Sequence, residues 1–476
     1  MPEPAASLDT RAAVSRMADF SGRLSPMLVK ELRQGMRTNL FTVAFILLQV
    51  FMVLCLAAGL VGPGSPSIDV FFWFFIVVTL LAVQPLRGFN ALSSEHQLNT
   101  LELIQMTRLD GWRITLGKWT AINAQSLLFI TGVLPYLVIR YFLGNVNFVA
   151  DLVGLGFIGL GSALATAMTV GVSVFKNIVL RAILVVGMGI ALIALTQIVG
   201  QTLLRGGLGS DHAATLALLF LGGCYGCFCF LSFGASRIAP LSENHATRKR
   251  LVALGVALLG CLFLFTSTDE TVVLVFTGLV LALACADALT EPLPIFSRVL
   301  RPFRKNAPGR AAALFLAPGW IAGLGFFVVS ALFWLGIFKA VEFTGGLSLL
   351  DDTKGLVTFL SLCNLLIFPL LVIHLFFAKQ ASNQFTFGVY TFIQCSLAML
   401  TLLMGALAAA VGQNAESTYL WFPVPSVLLT ATQSTAAENP LFLFFAVATT
   451  ALCFFVPLLR HPGRVREFRR HLKPAD

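Results

Sequence analysis

Residues 91–118 have the sequence ALSSEHQLNTLELIQMTRLDGWRITLGK and separate two long hydrophobic segments. This stretch carries the charged residues Glu95, Glu102, Arg108, Asp110, Arg113 and Lys118. A charge at the centre of a bilayer costs roughly 2.5 to 3.5 kcal/mol on an insertion scale. The stretch must therefore face water, whereas the hydrophobic segments on either side of it are typical of membrane-spanning helices.

Helix-capping residues divide the polar stretch into two parts. Asn99 is followed three residues later by Glu102, which is the spacing of a capping box at the start of a helix. Asp110 is placed to cap a second helix after a break at residues 107–111. These signals predict two short helices joined by a tight turn.

The composition of the chain extends this interpretation to the whole protein. Of 476 residues, 57% are hydrophobic and 11% are charged, whereas roughly 25% of the residues of a soluble protein are charged. The sequence predicts an all-α, polytopic integral membrane protein. About twelve segments reach the length of roughly 20 residues that a membrane helix needs. They are residues 40–60, 70–89, 119–143, 148–174, 178–204, 213–236, 251–266, 272–288, 311–338, 356–377, 387–411 and 441–459.

The distribution of basic residues predicts the orientation of these segments. With the N-terminus in the cytoplasm, 28 of the 32 Lys and Arg residues fall on the inner side, and Arg140, Arg205, Lys339 and Lys354 fall outside. This is the asymmetry of the positive-inside rule, which predicts that both termini are cytoplasmic. The predicted order is a disordered tail (1–24), an interfacial amphipathic helix (25–39), two six-helix halves (40–240 and 241–459) and a basic tail (460–476).

The interfacial helix follows Ser25-Pro26, a cap residue and a proline suited to the first helical position. Leu28, Leu32 and Met36 recur at four-residue steps, as on an amphipathic helix at a membrane surface. The residues Pro26, Lys30, Glu31, Leu32 and Arg33 resemble the N-terminal connecting helix of type-2 ATP-binding-cassette (ABC) exporter permeases. A generic basic flank that retains the N-terminus inside the cell is the alternative interpretation.

The 91–118 stretch resembles the first cytoplasmic loop of the same permease family. The resemblance rests on the residues Glu95, Asn99, Thr100, Leu101, Glu102, Leu103, Thr107, Gly117 and Lys118. The family usually has a glycine where Asn99 stands and often a proline where Arg108 stands, so the match is incomplete. The resemblance covers residues 25–240 and implies that this loop docks on a cytoplasmic ABC ATPase subunit. It also implies a multi-pass protein of a bacterial inner membrane.

No pattern in the chain predicts catalysis, a cofactor or a metal site. Gly111 and Gly117-Lys118 imitate a phosphate-binding loop, but five residues separate the glycines where that motif needs four. The Cys224 to Cys227 spacing lies within an apolar span and favours packing over metal binding. ATP hydrolysis is therefore expected on the partner subunit. Basic residues are expected to meet membrane lipids, including the run Arg248-Lys249-Arg250, and a nucleic-acid partner is not expected.

Two other functions stay open at this stage. A secondary, ion-coupled transporter usually has a carboxylate near mid-membrane, and no span here has one well inside it. A non-transporting membrane scaffold is the second alternative. The second six spans lack the loop pattern, so a second permease copy or a homologue is also a candidate partner.

Overall fold

The structure is a computed structural model of the full chain. It describes residues 26–61, 66–93, 110–143, 147–175, 177–187, 189, 210–239, 243–265, 270–293, 297–304, 306–343, 353–377, 383–411, 425 and 440–472. Every regular element within these residues is a helix. The predicted tail at residues 1–24 lies outside them. The chain divides into unit 1, residues 1–207 and 226–235, and unit 2, residues 208–225 and 236–476.

The first six helices are α1 (Pro26–Met36), α2 (Asn39–Val61), α3 (Pro66–Val77), α4 (Gly111–Leu143), α5 (Phe148–Val172) and α6 (Ile178–Gly187). Helix α3 continues through a π-helical turn (Val78–Val83), a short α-helical turn (Gln84–Leu86) and a 3-10 turn (Arg87–Asn90). The next helix, α7 (Ser210–Ile238), contributes residues to both units.

The remaining helices belong to unit 2. They are α8 (Ala246–Cys261), α9 (Glu270–Leu289), α10 (Ser297–Arg304), α11 (Ala307–Leu316), α12 (Trp320–Phe343), α13 (Thr353–Phe376), α14 (Asn383–Val411), α15 (Pro440–Arg460) and α16 (Pro462–His471). A 3-10 turn, Leu262–Phe265, follows α8.

Ten helices in the described residues are long and apolar enough to cross a membrane. The chain is therefore an all-α protein with many candidate membrane spans, and ten of the twelve predicted spans correspond to such helices. Of the predicted span 178–204, the structure describes α6 and Gly189 only. The predicted span 251–266 differs because α8 begins earlier, at Ala246, and has only 16 residues before the 3-10 turn.

The predicted span 311–338 is interrupted at Pro318-Gly319. Ala317 is extended, with φ −68° and ψ 152°, because a residue that precedes proline avoids the helical region. Gly319 has a φ of 106°, which glycine adopts without the steric cost of a Cβ. The helix ends at Leu316 and restarts at Trp320, so the membrane-length helix begins about nine residues later than predicted.

The core of unit 1 is an apolar cluster from α2 to α5 that includes Met52, Ile76, Phe129 and Leu155. At one end of this cluster, the Arg140 guanidinium lies 2.9 Å from Asp69 and 3.4 Å from Asp151.

In unit 2, α13 and α15 are joined through the buried amide of Asn364. This amide donates to the Ala446 carbonyl and the Thr449 hydroxyl, each at 2.9 Å, and accepts from Thr450 at 2.8 Å. Helix α16 occupies most of the predicted basic tail, and its Phe468 is buried in a cluster with Leu300 and Phe303. This tail is therefore packed within unit 2 through the apolar residues Phe468 and Leu472.

Candidate functional site

The predicted coupling loop is described only at its two ends. Residues 94–109 lie outside the described part of the chain, and this range contains seven of the predicted loop residues: Glu95, Asn99, Thr100, Leu101, Glu102, Leu103 and Thr107. The structure describes residues 87–93 before this segment and residues 110–118 after it. Together with α1, these ends form the candidate site, which we call the loop base.

The second end of the loop begins as predicted, with Asp110 as a helix cap. The Trp112 N–H donates to the Asp110 carboxylate at 3.4 Å, and the Arg113 N–H donates to the Asp110 carbonyl at 2.9 Å. Residues 111–118 do not form a separate short helix, however, but the first two turns of α4. They continue into the span because Ile114, Thr115 and Lys118 are buried, so Gly117 and Lys118 belong to a helix that enters the membrane region.

Lys118 connects α4 to α1. Its ammonium group donates to the Glu31 carboxylate at 3.1 Å, and the two side chains are 5% and 21% exposed. A buried ammonium group needs such a partner because its desolvation is otherwise uncompensated. The structure thus brings together two predicted site residues that the sequence gave no reason to pair.

The other predicted residues of α1 do not share this contact. Lys30 and Arg33 are exposed, and Leu32 is half-buried. Pro26 is the first residue of the helix, in agreement with the predicted start.

Arg87 fixes α1 from a second direction. Its guanidinium donates to the Gln125 side-chain oxygen, to the Gly35 carbonyl at 2.8 Å and to the Thr38 hydroxyl at 3.3 Å. A Cβ on Gly35 would collide with the Gln125 amide, so a larger residue there would displace the end of that side chain. The residue Arg87 thereby joins the end of the second predicted span, α1 and α4.

Arg181 holds the first end of the loop. It is 5% exposed, and its guanidinium donates to the Phe89 carbonyl at 3.1 Å, the Asn90 side-chain oxygen at 2.8 Å and the Ser93 hydroxyl at 3.1 Å. The same group lies 5.0 Å from the centre of the Phe89 ring. Sequence reasoning used Arg181 only to assign membrane sidedness. Its position as the one charged residue in the apolar run 177–204 was the available signal.

A buried hydroxyl adds a further contact at this end. The Leu92 N–H donates to Ser173 Oγ at 3.0 Å, and Ser173 Oγ donates to the Val170 carbonyl at 2.6 Å. Residues 87–93 and 110–118 are therefore each bonded to side chains distant in sequence, Ser173 and Arg181 for the first segment and Glu31 for the second.

Unit 2 contains a separate buried ion cluster that sequence reasoning assigned to lipid headgroups. Arg250 is 2% exposed and lies 2.9 Å from the Glu291 carboxylate. Lys249 contacts Asp287 and lies 3.5 Å from Glu291. Of the basic run, only Arg248 is exposed. The prediction was therefore wrong for Lys249 and Arg250, because two carboxylates at the end of α9 make the protein interior a better partner than lipid.

The cluster also fixes the interruption before α12. Arg250 donates to the carbonyls of Phe315, Ala317 and Gly319, at 3.0, 2.5 and 3.4 Å. The Gly319 N–H donates to Glu291 at 3.3 Å. Burial opposes the charge on Lys249, but the facing carboxylates outweigh it and raise the pKa of Lys249 above its ordinary value. These contacts give the cluster a structural role.

The chain matches no protein-family model, no characterised protein and no solved structure. The resemblance to ABC exporter permeases therefore rests on the quoted residues alone.

Proposed function

We propose that this chain is the membrane subunit of an ATP-driven, ABC-type exporter, and that a separate cytoplasmic ATPase subunit docks on residues 94–109. The observation that carries the proposal is the construction of the loop base. Buried Arg and Lys side chains tie both ends of the loop to α1 and to the helices that follow. Such anchoring would let a load applied to the loop reach the helices on both sides of it.

The loop base supplies a mechanism for passing force into the membrane. A displacement of residues 94–109 by the ATPase would act on α3 through residues 87–93 and on α4 through its N-terminal turns. Because Glu31 and Arg87 join these segments to α1, the three helices would tilt together. Hydrogen bonds to charged groups contribute about 1.5–3 kcal/mol each, so several of them form a connection that resists local fraying.

The pairing of membrane-embedded ions favours this function over a secondary transporter. Asp151 is paired with Arg140 near the start of α5, and Asp287 is paired with Lys249 near the end of α9. Neither carboxylate stands alone at the middle of its helix, where a carrier would place an ion-binding residue. A subunit driven by a partner ATPase needs no such residue.

The proposal is tested by purification with the candidate ATPase and measurement of transport-linked ATP hydrolysis. Glu95→Gln and Glu102→Gln are expected to weaken co-purification, because they change the surface that docks. Glu31→Lys alone is expected to leave co-purification unchanged but to uncouple hydrolysis from transport. Combining it with Lys118→Glu restores the pair with reversed charges and should recover coupling.

Lys30→Gln is the matched control, because Lys30 is exposed on the same helix. Unchanged co-purification in both loop variants, together with full coupling in Glu31→Lys, would refute the proposal. Dependence of transport on an ion gradient without ATP would instead identify a secondary transporter.

A further inference from the structure

Unit 2 contains a cavity of about 320 Å³ at the ends of several helices. Residues 289–293 at the end of α9, Trp320 at the start of α12 and His374 near the end of α13 line it, together with residues of α16. Its volume falls in the range of small-molecule binding sites. We call it the Trp320 cavity, and nothing in the proposed coupling function uses it.

Among the residues that the structure describes, two buried polar groups beside this cavity have no hydrogen-bond partner. They are Trp320 Nε1 and His374 Nδ1, on side chains that are 5% and 6% exposed. The two rings lie 4.5 Å apart between centroids. The His461 ring, 5.1 Å from that of His374, also has an unpartnered nitrogen, Nε2. Buried polar groups are almost always satisfied, so three unpartnered ring nitrogens in one place indicate a missing partner.

The donor chemistry of these groups restricts what that partner is. An indole N–H donates and never accepts, so the atom that meets Trp320 must be an acceptor. A metal cation is excluded at that position, because it would face a donor hydrogen. The rings therefore favour a ligand with acceptor oxygens.

Arg464 supplies the cavity with a cation. Arg464 lines it and, within the part of the chain that the structure describes, forms no ion pair. Of the two carboxylates in the lining, Glu291 is already neutralised by Arg250 and Lys249. The other, Glu467, is 66% exposed and lies 3.9 Å from His471 on the same helix. The lining therefore holds one cation, Arg464, and one carboxylate that no buried cation neutralises, Glu467, so the preference for an anion rests on Arg464 together with the unpartnered ring nitrogens.

The other walls are apolar. They are formed by side chains such as Leu289, Leu293, Leu300, Ile373 and Phe468. The cavity also lies at the ends of the candidate spans α9, α12 and α13, and lipid headgroups meet a membrane protein at that level.

We propose that the Trp320 cavity binds the phosphate group of an anionic amphiphile. The phosphate oxygens would accept from Trp320 Nε1, from His374 and from the Arg464 guanidinium, which matches phosphate geometry in a bidentate manner. The same chemistry is available from an anionic phospholipid headgroup or from a soluble phosphate compound. The apolar walls and the position at the span ends favour the lipid.

The test uses the purified full-length chain in dodecyl maltoside, with bound ligand counted by native mass spectrometry. The probes are dioleoylphosphatidylglycerol, zwitterionic dioleoylphosphatidylcholine and inorganic phosphate. The wild type is expected to bind the phosphatidylglycerol in preference to the phosphatidylcholine. Two variants should each weaken phosphatidylglycerol binding about tenfold, or 1.4 kcal/mol. They are Trp320→Phe, which keeps an aromatic ring but removes the N–H donor, and Arg464→Gln.

Arg466→Gln is the matched control, since it removes the same charge from an exposed position on the same helix outside the cavity. If the Trp320→Phe variant does not fold, the Arg464→Gln variant is sufficient to test the proposal. The Arg464 side chain is exposed, so its replacement should not disturb folding. If inorganic phosphate displaces phosphatidylglycerol from the wild type but not from these variants, the cavity binds phosphate and its natural ligand is a soluble phosphate compound. Equal binding by Arg464→Gln and Arg466→Gln, or binding that is indifferent to headgroup charge, would overturn the proposal.

Discussion

The loop base in unit 1 and the ion cluster in unit 2 bury arginine side chains in different ways. In the described residues, Arg87 and Arg181 bond to carbonyls, amide oxygens and hydroxyls and have no carboxylate partner. Arg250, by contrast, is paired with Glu291 beside the Lys249–Asp287 pair. Neutral acceptors can be exchanged one at a time at modest cost, whereas a charge separated from its counter-ion inside a protein is heavily penalised.

This difference assigns the two regions different roles. In the loop base, bonds to neutral acceptors can be exchanged one at a time while the Lys118–Glu31 pair keeps α1 joined to α4, which suits an element that transmits force. A matched set of buried charges has one arrangement and fixes the fold around it. We therefore expect substitutions in unit 2 to act mainly on stability and substitutions in unit 1 to act mainly on coupling.

The largest effect is expected for Arg250→Gln. It leaves Glu291 without its closest cation and removes the donor of three carbonyls around Ala317. Removing one partner of a buried ion pair typically costs about 3–5 kcal/mol. Denaturant unfolding in detergent micelles measures the loss, with exposed Arg248→Gln as the control, for which less than about 0.5 kcal/mol is expected. Equal stability of the two variants would contradict a structural role for the cluster.

An intermediate effect is expected for Arg181→Gln. The shorter side chain loses hydrogen bonds to Phe89, Asn90 and Ser93 but leaves no carboxylate without its counter-ion. The free energy of unfolding should therefore fall by about 1–3 kcal/mol. Its effect on transport-linked ATP hydrolysis should exceed its effect on unfolding, relative to Arg113→Gln on the exposed side of α4. A variant that unfolds as easily as Arg250→Gln would remove the distinction between the regions.

A smaller effect is expected for the pair of Glu31 and Lys118. A double-mutant cycle of Glu31→Gln and Lys118→Met should give a coupling free energy of about 1 kcal/mol, within the range for residues in contact. Unfolding midpoints of the wild type, the two single variants and the double variant provide the measurement. Strict additivity would show that the 3.1 Å contact contributes nothing to holding α1.

The smallest effect concerns acid sensitivity at His461, whose ring lies 6.3 Å from that of Trp320 in unit 2. Burial, followed by the charges of Arg464 and Arg460, lowers the pKa of His461 below its ordinary value of 6.5. As the pH falls below 6.5, His461 binds a proton more readily in the unfolded chain than in the folded chain. The free energy of unfolding therefore falls. The wild type should lose slightly more stability between pH 7.5 and 5.5 than His461→Phe, as followed by unfolding midpoints. Identical pH profiles would contradict this assignment.

Local signals in the sequence predicted local structure well. Pro26 begins α1, and Asp110 caps α4. Each of these depends on one or two residues whose conformational preference acts within a single turn. Long apolar segments likewise identified most of the membrane-length helices, because length and composition are sufficient for that purpose.

Long-range pairing was not predictable in the same way. Arg181 bonds to a residue 91 positions away and Arg250 to one 41 positions away. The positive-inside rule assigns a basic residue to the cytoplasmic side whether its partner is lipid or protein. On that basis Arg250 was expected to meet lipid headgroups. Only the packing of α8 against α9 and α11 reveals which cations are buried.

The π-helical turn at residues 78–83 has a mechanical consequence for the loop base. The Gln84 N–H donates to the Thr79 carbonyl, five residues earlier, so this turn accommodates an additional residue relative to an α-helix. Conversion to α-helical geometry would displace that residue, turning the following segment by about 100° and advancing it about 1.5 Å along the axis. Arg87 would then move away from Gly35 while the Glu31–Lys118 pair still held α1, so the geometry of this turn sets how α3 is connected to the loop base.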